Sequence, residues 1–242
     1  MRGRRHLALQ PPALNGALAL ALLLAAGGAA AQASGSASLV SDYRFRGLSL
    51  SDGNPSAQLG LNYDSPGGWY AGGQAAGANL HERDMVQLTA YGGLAQRLAS
   101  GWSWEAGASA SGFTRRHDSD YTEWYAGLAS ERIGLRLYYS PRYFGRDMRT
   151  AYGEVNGFYP LHDKVKLVAH GGVLRYLPHA GDSAGLPARY DGRLGLAAAL
   201  GDWNVQLAWV AASSRGSAGA AYPSADYAPS RQALVLSVAY AF

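Results

Sequence analysis

The chain has 242 residues, enough for one large β domain or two small ones; 48% are hydrophobic and only 16% are charged. Gly occurs 32 times, Tyr 16 times against 5 Phe, and Trp 6 times, a bias toward rings with an apolar body and a polar edge. Cysteine is absent, which excludes a disulfide framework and a thiolate metal site.

Arg2, Arg4 and Arg5 precede an apolar core at 17–26 that is too short to span a bilayer, and Ala31 and Ala33 then offer small residues for cleavage. This pattern predicts a secretory signal peptide over 1–33 and a β-barrel domain over 34–242. Removing the leader leaves 18 basic against 17 acidic groups, so the calculated basicity belongs mostly to the leader. No nucleic-acid partner is expected.

The rest of the chain has no apolar run long enough for a transmembrane helix. It alternates instead with a period of two, the signature of strands whose successive side chains point to opposite faces. Twelve segments are expected, the first over 37–46, where Leu39, Ser41, Tyr43 and Phe45 oppose Val40, Asp42 and Arg44. The second, 56–64, sets Leu59, Leu61 and Tyr63 against Gln58 and Asn62. Segments 69–78 and 85–96 follow, then 102–114, where Trp102 and Trp104 oppose Ser103 and Glu105. In 121–130, Trp124 and Leu128 oppose Glu123 and Tyr125. Segments 133–140, 150–160 and 164–174 precede 190–200, in which Leu194 and Leu196 oppose Asp191 and Arg193. The last two are 203–212 and 232–242. The final one alternates Leu234, Leu236, Val238, Tyr240 and Phe242 with smaller residues.

Tight links such as 65–68 and 201–202 alternate with long polar ones such as 47–55, 141–149 and 213–231. An even strand count with short connections at one end and long ones at the other predicts an all-β fold. Specifically, it predicts a transmembrane up-and-down antiparallel barrel of the bacterial outer membrane. Lipid would then serve as the second layer for every apolar face, and closure would satisfy the backbone. The expected partners are outer-membrane lipids, small solutes, and the barrel assembly machinery, which would read Tyr240 and Phe242 as a terminal signal.

The stretch "SDYRFRGLSLSDGNPSAQLGLNYDSPGGWYAGG" at 41–73 resembles the TorF-type porins, a family of bacterial outer-membrane proteins of otherwise unknown function. "DYTEWYAGL" at 120–128, "YYSP" at 138–141 and the terminal "AYAF" extend the similarity across the mature chain. The resemblance implies a barrel and a pore, with no established substrate.

Sequence signals for catalysis are weak, so no enzymatic activity and no cofactor or metal is expected. "GDSAG" at 181–185 matches a nucleophile pattern but lies in a Gly- and Pro-rich loop with no helical pattern after it. His170 falls on the lumen face by alternation, away from any lipid ester an outer-membrane phospholipase would attack. Alternation assigns Asp42, Arg44, Arg46, Glu105, Glu123, Arg136, Glu154, Lys166, Asp191 and Arg193 to the pore lining. Gln58, Asn62, Tyr125, Tyr138, Tyr152, Asn204 and Gln206 share that face. The expected function is passive diffusion of small polar or charged solutes, with arginine clustering that favours anions. The same charges could instead pair across the lumen and leave a closed structural or surface-interaction barrel.

Overall fold

Each segment has one face of large apolar residues and one of small or polar ones, and twelve such strands close on themselves. The computed structural model describes residues 32–79, 83–177, 188–213 and 231–242. In chain order the strands are β1 (Gln32–Val40), β2 (Arg44–Phe45), β3 (Leu48–Ser49), β4 (Ser56–Asp64), β5 (Trp69–Asn79), β6 (Asp84–Arg97) and β7 (Ser103–Phe113). They continue with β8 (Tyr121–Ala129), β9 (Ile133–Ser140), β10 (Arg149–His162), β11 (Val165–Leu177), β12 (Arg189–Leu200), β13 (Trp203–Ala212) and β14 (Gln232–Ala241). β1 and β4–β14 form a closed antiparallel barrel of twelve strands; β2 and β3 form a separate two-stranded ribbon. Closure runs through β1, which pairs with β4 from Gln32↔Asp64 to Val40↔Ser56 and with β14 from Ser36↔Ala241 to Val40↔Ser237.

Five tight turns and both strand termini lie at one end of the barrel. At that end Gly68, Gly101 and Gly201 adopt positive φ, the region only glycine enters without strain. The opposite end carries the long connections, of which those around 80–82, 178–187 and 214–230 lie outside the described residues. The "GDSAG" stretch and most of the expected longest loop fall within those segments.

The outward face is apolar. Leu59, Leu137, Leu194 and Leu234 are among its exposed side chains, at 48%, 69%, 58% and 67%. Aromatic rings border this band on both sides. Tyr63, Trp69, Tyr159 and Trp203 are exposed near the tight turns, and Trp124, Tyr139, Tyr190 and Trp209 toward the long loops. Two aromatic girdles around an apolar belt match a hydrocarbon layer with two interfaces.

One strand differs from the sequence expectation. β1 covers 32–40 rather than 37–46, and its first two residues belong to the expected leader. Its ladders with β4 and β14 both end at Val40. Ser41 makes the last wall contact, donating its N–H to Leu236 O and accepting Leu236 N–H on its hydroxyl. The chain then turns into the lumen. Tyr43 and Phe45, expected on the outer face, are therefore buried inside at 2% exposure.

If hydrocarbon surrounds this belt, Leu194→Arg should destabilise the barrel in lipid vesicles by about 2–4 kcal/mol. Asn204→Lys, on the lumen face near a tight turn, should change it by no more than about 0.5 kcal/mol. Urea unfolding checks both, and equal losses would contradict the assigned faces.

Candidate functional site

The lumen at the long-loop end is filled by a hairpin from within the chain. Phe45 and Leu48 pair across the two-residue turn Arg46–Gly47, whose φ values of 49° and 79° make it a type I′ turn. Asp42 organises its base. One carboxylate oxygen accepts Arg44 Nε at 2.6 Å, and the other accepts the Ser49 hydroxyl at 2.6 Å. Ser51 Oγ accepts the Tyr43 N–H at 2.8 Å and donates to Asn54 O at 2.6 Å. Asn79 N–H and the Tyr43 hydroxyl, bonded to Leu50 O and to Gln87 Oε1, tie the hairpin to β5 and β6. Gly47 sits hard against β12 and β13. A Cβ there would lie 2.7 Å from Asp191 Cβ and 2.9 Å from Ala211 O, so glycine is needed for contact as well as for φ.

Arg46 projects from the tip into a cage on the wall. Its Nη2 donates to both oxygens of Glu123 on β8 at 2.9 Å, with both side chains at least 96% buried. The guanidinium lies 4.1 Å from the Tyr152 ring centre, 4.7 Å from Phe45, 5.3 Å from Tyr138 and 5.4 Å from Tyr143. All are within cation–π range. Nη1 has no hydrogen-bond partner. The contact therefore carries two costs. A non-glycine residue in the left-handed region costs roughly 1–3 kcal/mol, and a buried unsatisfied donor costs about as much.

A second inward segment meets the hairpin. The 141–148 loop drives Tyr143 and Phe144 into the lumen, where Phe144 stacks on Phe113 at 6.0 Å and approaches Tyr121 at 4.7 Å. Gly145 (φ 70°) lies against the backbone of Asp118, where no side chain would fit. On that neighbouring loop the hydrogen bond from Arg116 holds the Asp118 carboxyl below its ordinary pKa.

Two further networks line the wall. Arg136 forks onto Glu105, with Nε at 2.8 Å from Oε1, and bonds the Tyr138 hydroxyl at 3.2 Å. Tyr70 donates to Glu105 at 3.0 Å and lies 2.9 Å from the Tyr125 hydroxyl. Across the lumen, Asp191 accepts the Tyr152 hydroxyl at 3.1 Å and meets His170 Nε2 at 2.8 Å, while His170 Nδ1 lies 2.8 Å from Asn156 Oδ1. Between this wall and the hairpin is a small cavity of about 30 Å³, bordered by Asp42, Arg44, His170, Asp191, Arg193 and Gln206. Arg193 Nε has no hydrogen-bond partner there.

All ten residues expected to line the pore therefore point to the interior, by two routes. Glu105, Glu123, Arg136, Glu154, Lys166, Asp191 and Arg193 stand on wall strands. Asp42, Arg44 and Arg46 were expected on the first strand but belong to the hairpin. Arg44 and Arg46 do not act as one cluster, because the former pairs with Asp42 and the latter with Glu123. Lys166 stands over Phe158 at 4.7 Å. Sequence reasoning missed Tyr121, Tyr143 and Phe144; a Tyr-Phe pair inside an otherwise polar loop was the available signal. Among the described residues no cluster of His, Asp and Glu is arranged to hold a metal ion.

Burial makes the central pair strongly coupled. Arg46→Ala and Glu123→Ala should each cost about 3–5 kcal/mol by stranding the other charge. The double substitution should cost clearly less than their sum. Additive losses in the heat resistance of the folded barrel would refute this coupling.

The family model described as bacterial protein of unknown function (Gcw_chp) matches residues 25–242, so the chain belongs to that family. Among solved structures the fold is similar to the KdgM porin, at 11% identity and TM-score 0.53, covering 87% of this chain and 99% of that one. It is also similar to the NanC porin, at 11% identity and TM-score 0.54, covering 88% and 100%. No curated protein matches the sequence.

Proposed function

We propose that this Gcw_chp family member is a channel of the bacterial outer membrane for small polar or charged solutes, narrowed by its own first loop. The observation that carries the reading is a closed twelve-stranded barrel with an apolar outside, a charged interior and a small cavity beside the hairpin. Twelve strands leave room for a modest lumen, and the hairpin takes much of it. Likeness to porins supports the same architecture. The "SDYRFRG" and "GGWYAG" stretches favour placing the chain with the TorF-type porins within this architecture. A non-enzymatic role fits the site, since the nitrogens of His170 face Asp191, Tyr152 and Asn156 rather than a serine.

A closed structural barrel is the second reading, favoured by the packing of Phe45, Leu48 and Leu50 at 0–2% exposure. Val40 and Ser56 face one another across the β1–β4 ladder, so an Asn-Gly turn can replace 41–55 without moving either strand. In planar bilayers the shortened protein should give larger and longer stepwise openings than the full chain. Silence from both would leave the closed barrel.

The Tyr240 and Phe242 rings lie 6.1 Å apart and tilted at the end of β14, and we assign them to recognition by the assembly machinery. The chain lacks cysteine, so His117→Cys, on a long loop with 80% side-chain exposure, gives a clean surface label. An impermeant maleimide should modify it on intact cells, and deleting Phe242 should sharply lower that labelling. Unchanged labelling would remove the assembly role, and labelling only after disruption of the outer membrane would invert the barrel.

A further inference from the structure

We propose that the wall of this barrel holds a binding site for guanidinium-bearing organic cations, and that Arg46 is its tethered occupant. The inference deepens the channel reading by naming a solute class, but the site itself does not depend on conduction. Four of its parts belong to the wall and its loops: the Glu123 carboxylate on β8, Tyr138 on β9, Tyr152 on β10, and Tyr143 from the 141–148 loop. They supply what a planar cation needs, a carboxylate for its N–H groups and rings for its faces. The hairpin contributes the occupant and Phe45.

Several observations separate the occupant from the site. A type I′ turn favours Asn-Gly, yet this one carries Arg at φ 49°, so the arginine is present for its side chain and not for the turn. Its fit is incomplete, because Nη1 finds no acceptor. The hairpin is joined to the wall by flanking bonds at Ser41, Tyr43 and Leu50, and a small cavity lies beside it between Arg44 and β11–β14. The wall residues do not need the hairpin to be positioned: Tyr152 is bonded to Asp191, and Tyr138 to Arg136 and Glu154. A free guanidinium compound entering the lumen would meet the same carboxylate and rings. By displacing Arg46 it would release the hairpin tip.

The test vacates the cage without disturbing the turn. Arg46→Asn supplies the residue that the turn prefers, and guanidinium chloride, well below its molar denaturing range, is the probe against sodium chloride at equal ionic strength. Guanidinium should raise the temperature at which the Arg46→Asn barrel loses its compact form. It should do so neither for the wild type, whose cage is filled, nor for Arg46→Asn combined with Glu123→Gln. No gain in Arg46→Asn, or an equal gain in all three, overturns the proposal. If Arg46→Asn does not assemble, its refolding yield from urea gives the same answer: a selective increase with guanidinium supports the site and no increase overturns it. In planar bilayers guanidinium should lengthen wild-type openings relative to sodium. Silent bilayers together with thermal rescue would sink the channel reading and leave the cation site standing.

Discussion

Charge cannot be placed on the outside of this barrel, and most of its interior follows from that restriction. The hydrocarbon surround proposed for it would give neither backbone nor side chains a polar partner; Glu105, Glu123, Glu154 and Asp191 all face inward, where each requires a counter-charge or donors. Glu105 on β7 obtains Arg136 from β9, across Gly127 of the intervening β8, and Asp191 obtains Tyr152 and His170. Among the described residues Glu123 pairs with no wall cation, and its partner on β7 is Ser109. The cation reaches it from the hairpin instead, as Arg46. The inward fold of 41–55 is therefore tied to a wall carboxylate that would otherwise be buried unpaired, a state that costs several kcal/mol.

The wall was largely legible in the sequence because its constraint is simple. Period-two alternation survives wherever one face meets an apolar medium and the other a polar lumen, and eleven of the twelve strands lie close to the expected segments. Glycine in the tight turns, at Gly68, Gly101 and Gly201, marked one end of the barrel. The first strand was misplaced for a physical reason. "DYRF" alternates as well as any wall strand, and an inner ribbon also presents its residues to two environments in turn. Period two reports two faces without saying that one of them is lipid. What distinguished the ribbon was the Arg-Gly pair, since Gly47 both permits the turn and fits against Asp191.

The interior was legible in membership but not in pairing. Alternation brought all ten charged residues inside, yet it treated Arg44 and Arg46 as neighbours on one strand, when the turn at Arg46–Gly47 sends them to different partners. Tyr143 and Phe144 escaped notice because the surrounding loop averages to polar. On a strand two successive rings point to opposite faces, as Trp124 and Tyr125 do, but here the left-handed backbone at Phe144 (φ 50°) turns the second ring toward Phe113 and Tyr121.

Strain is not spread evenly over the molecule. Among the described residues the three non-glycine positions with positive φ are Arg46, Asp52 and Phe144. All three lie in the two loops that fold into or cap the lumen, while at the opposite end the positive-φ positions are the glycines Gly68, Gly101 and Gly201. The unsatisfied Nη1 of Arg46 lies at the same place. A filling that only braced the wall could relieve these costs with an Asn-Gly turn and apolar side chains, because replacing a buried ion pair by well-packed hydrophobic groups is often neutral or stabilising. Retaining a strained arginine in an aromatic cage does not maximise stability; it makes the hold on the hairpin a difference between large opposing terms. Such a difference is small enough for a competing ligand to reverse.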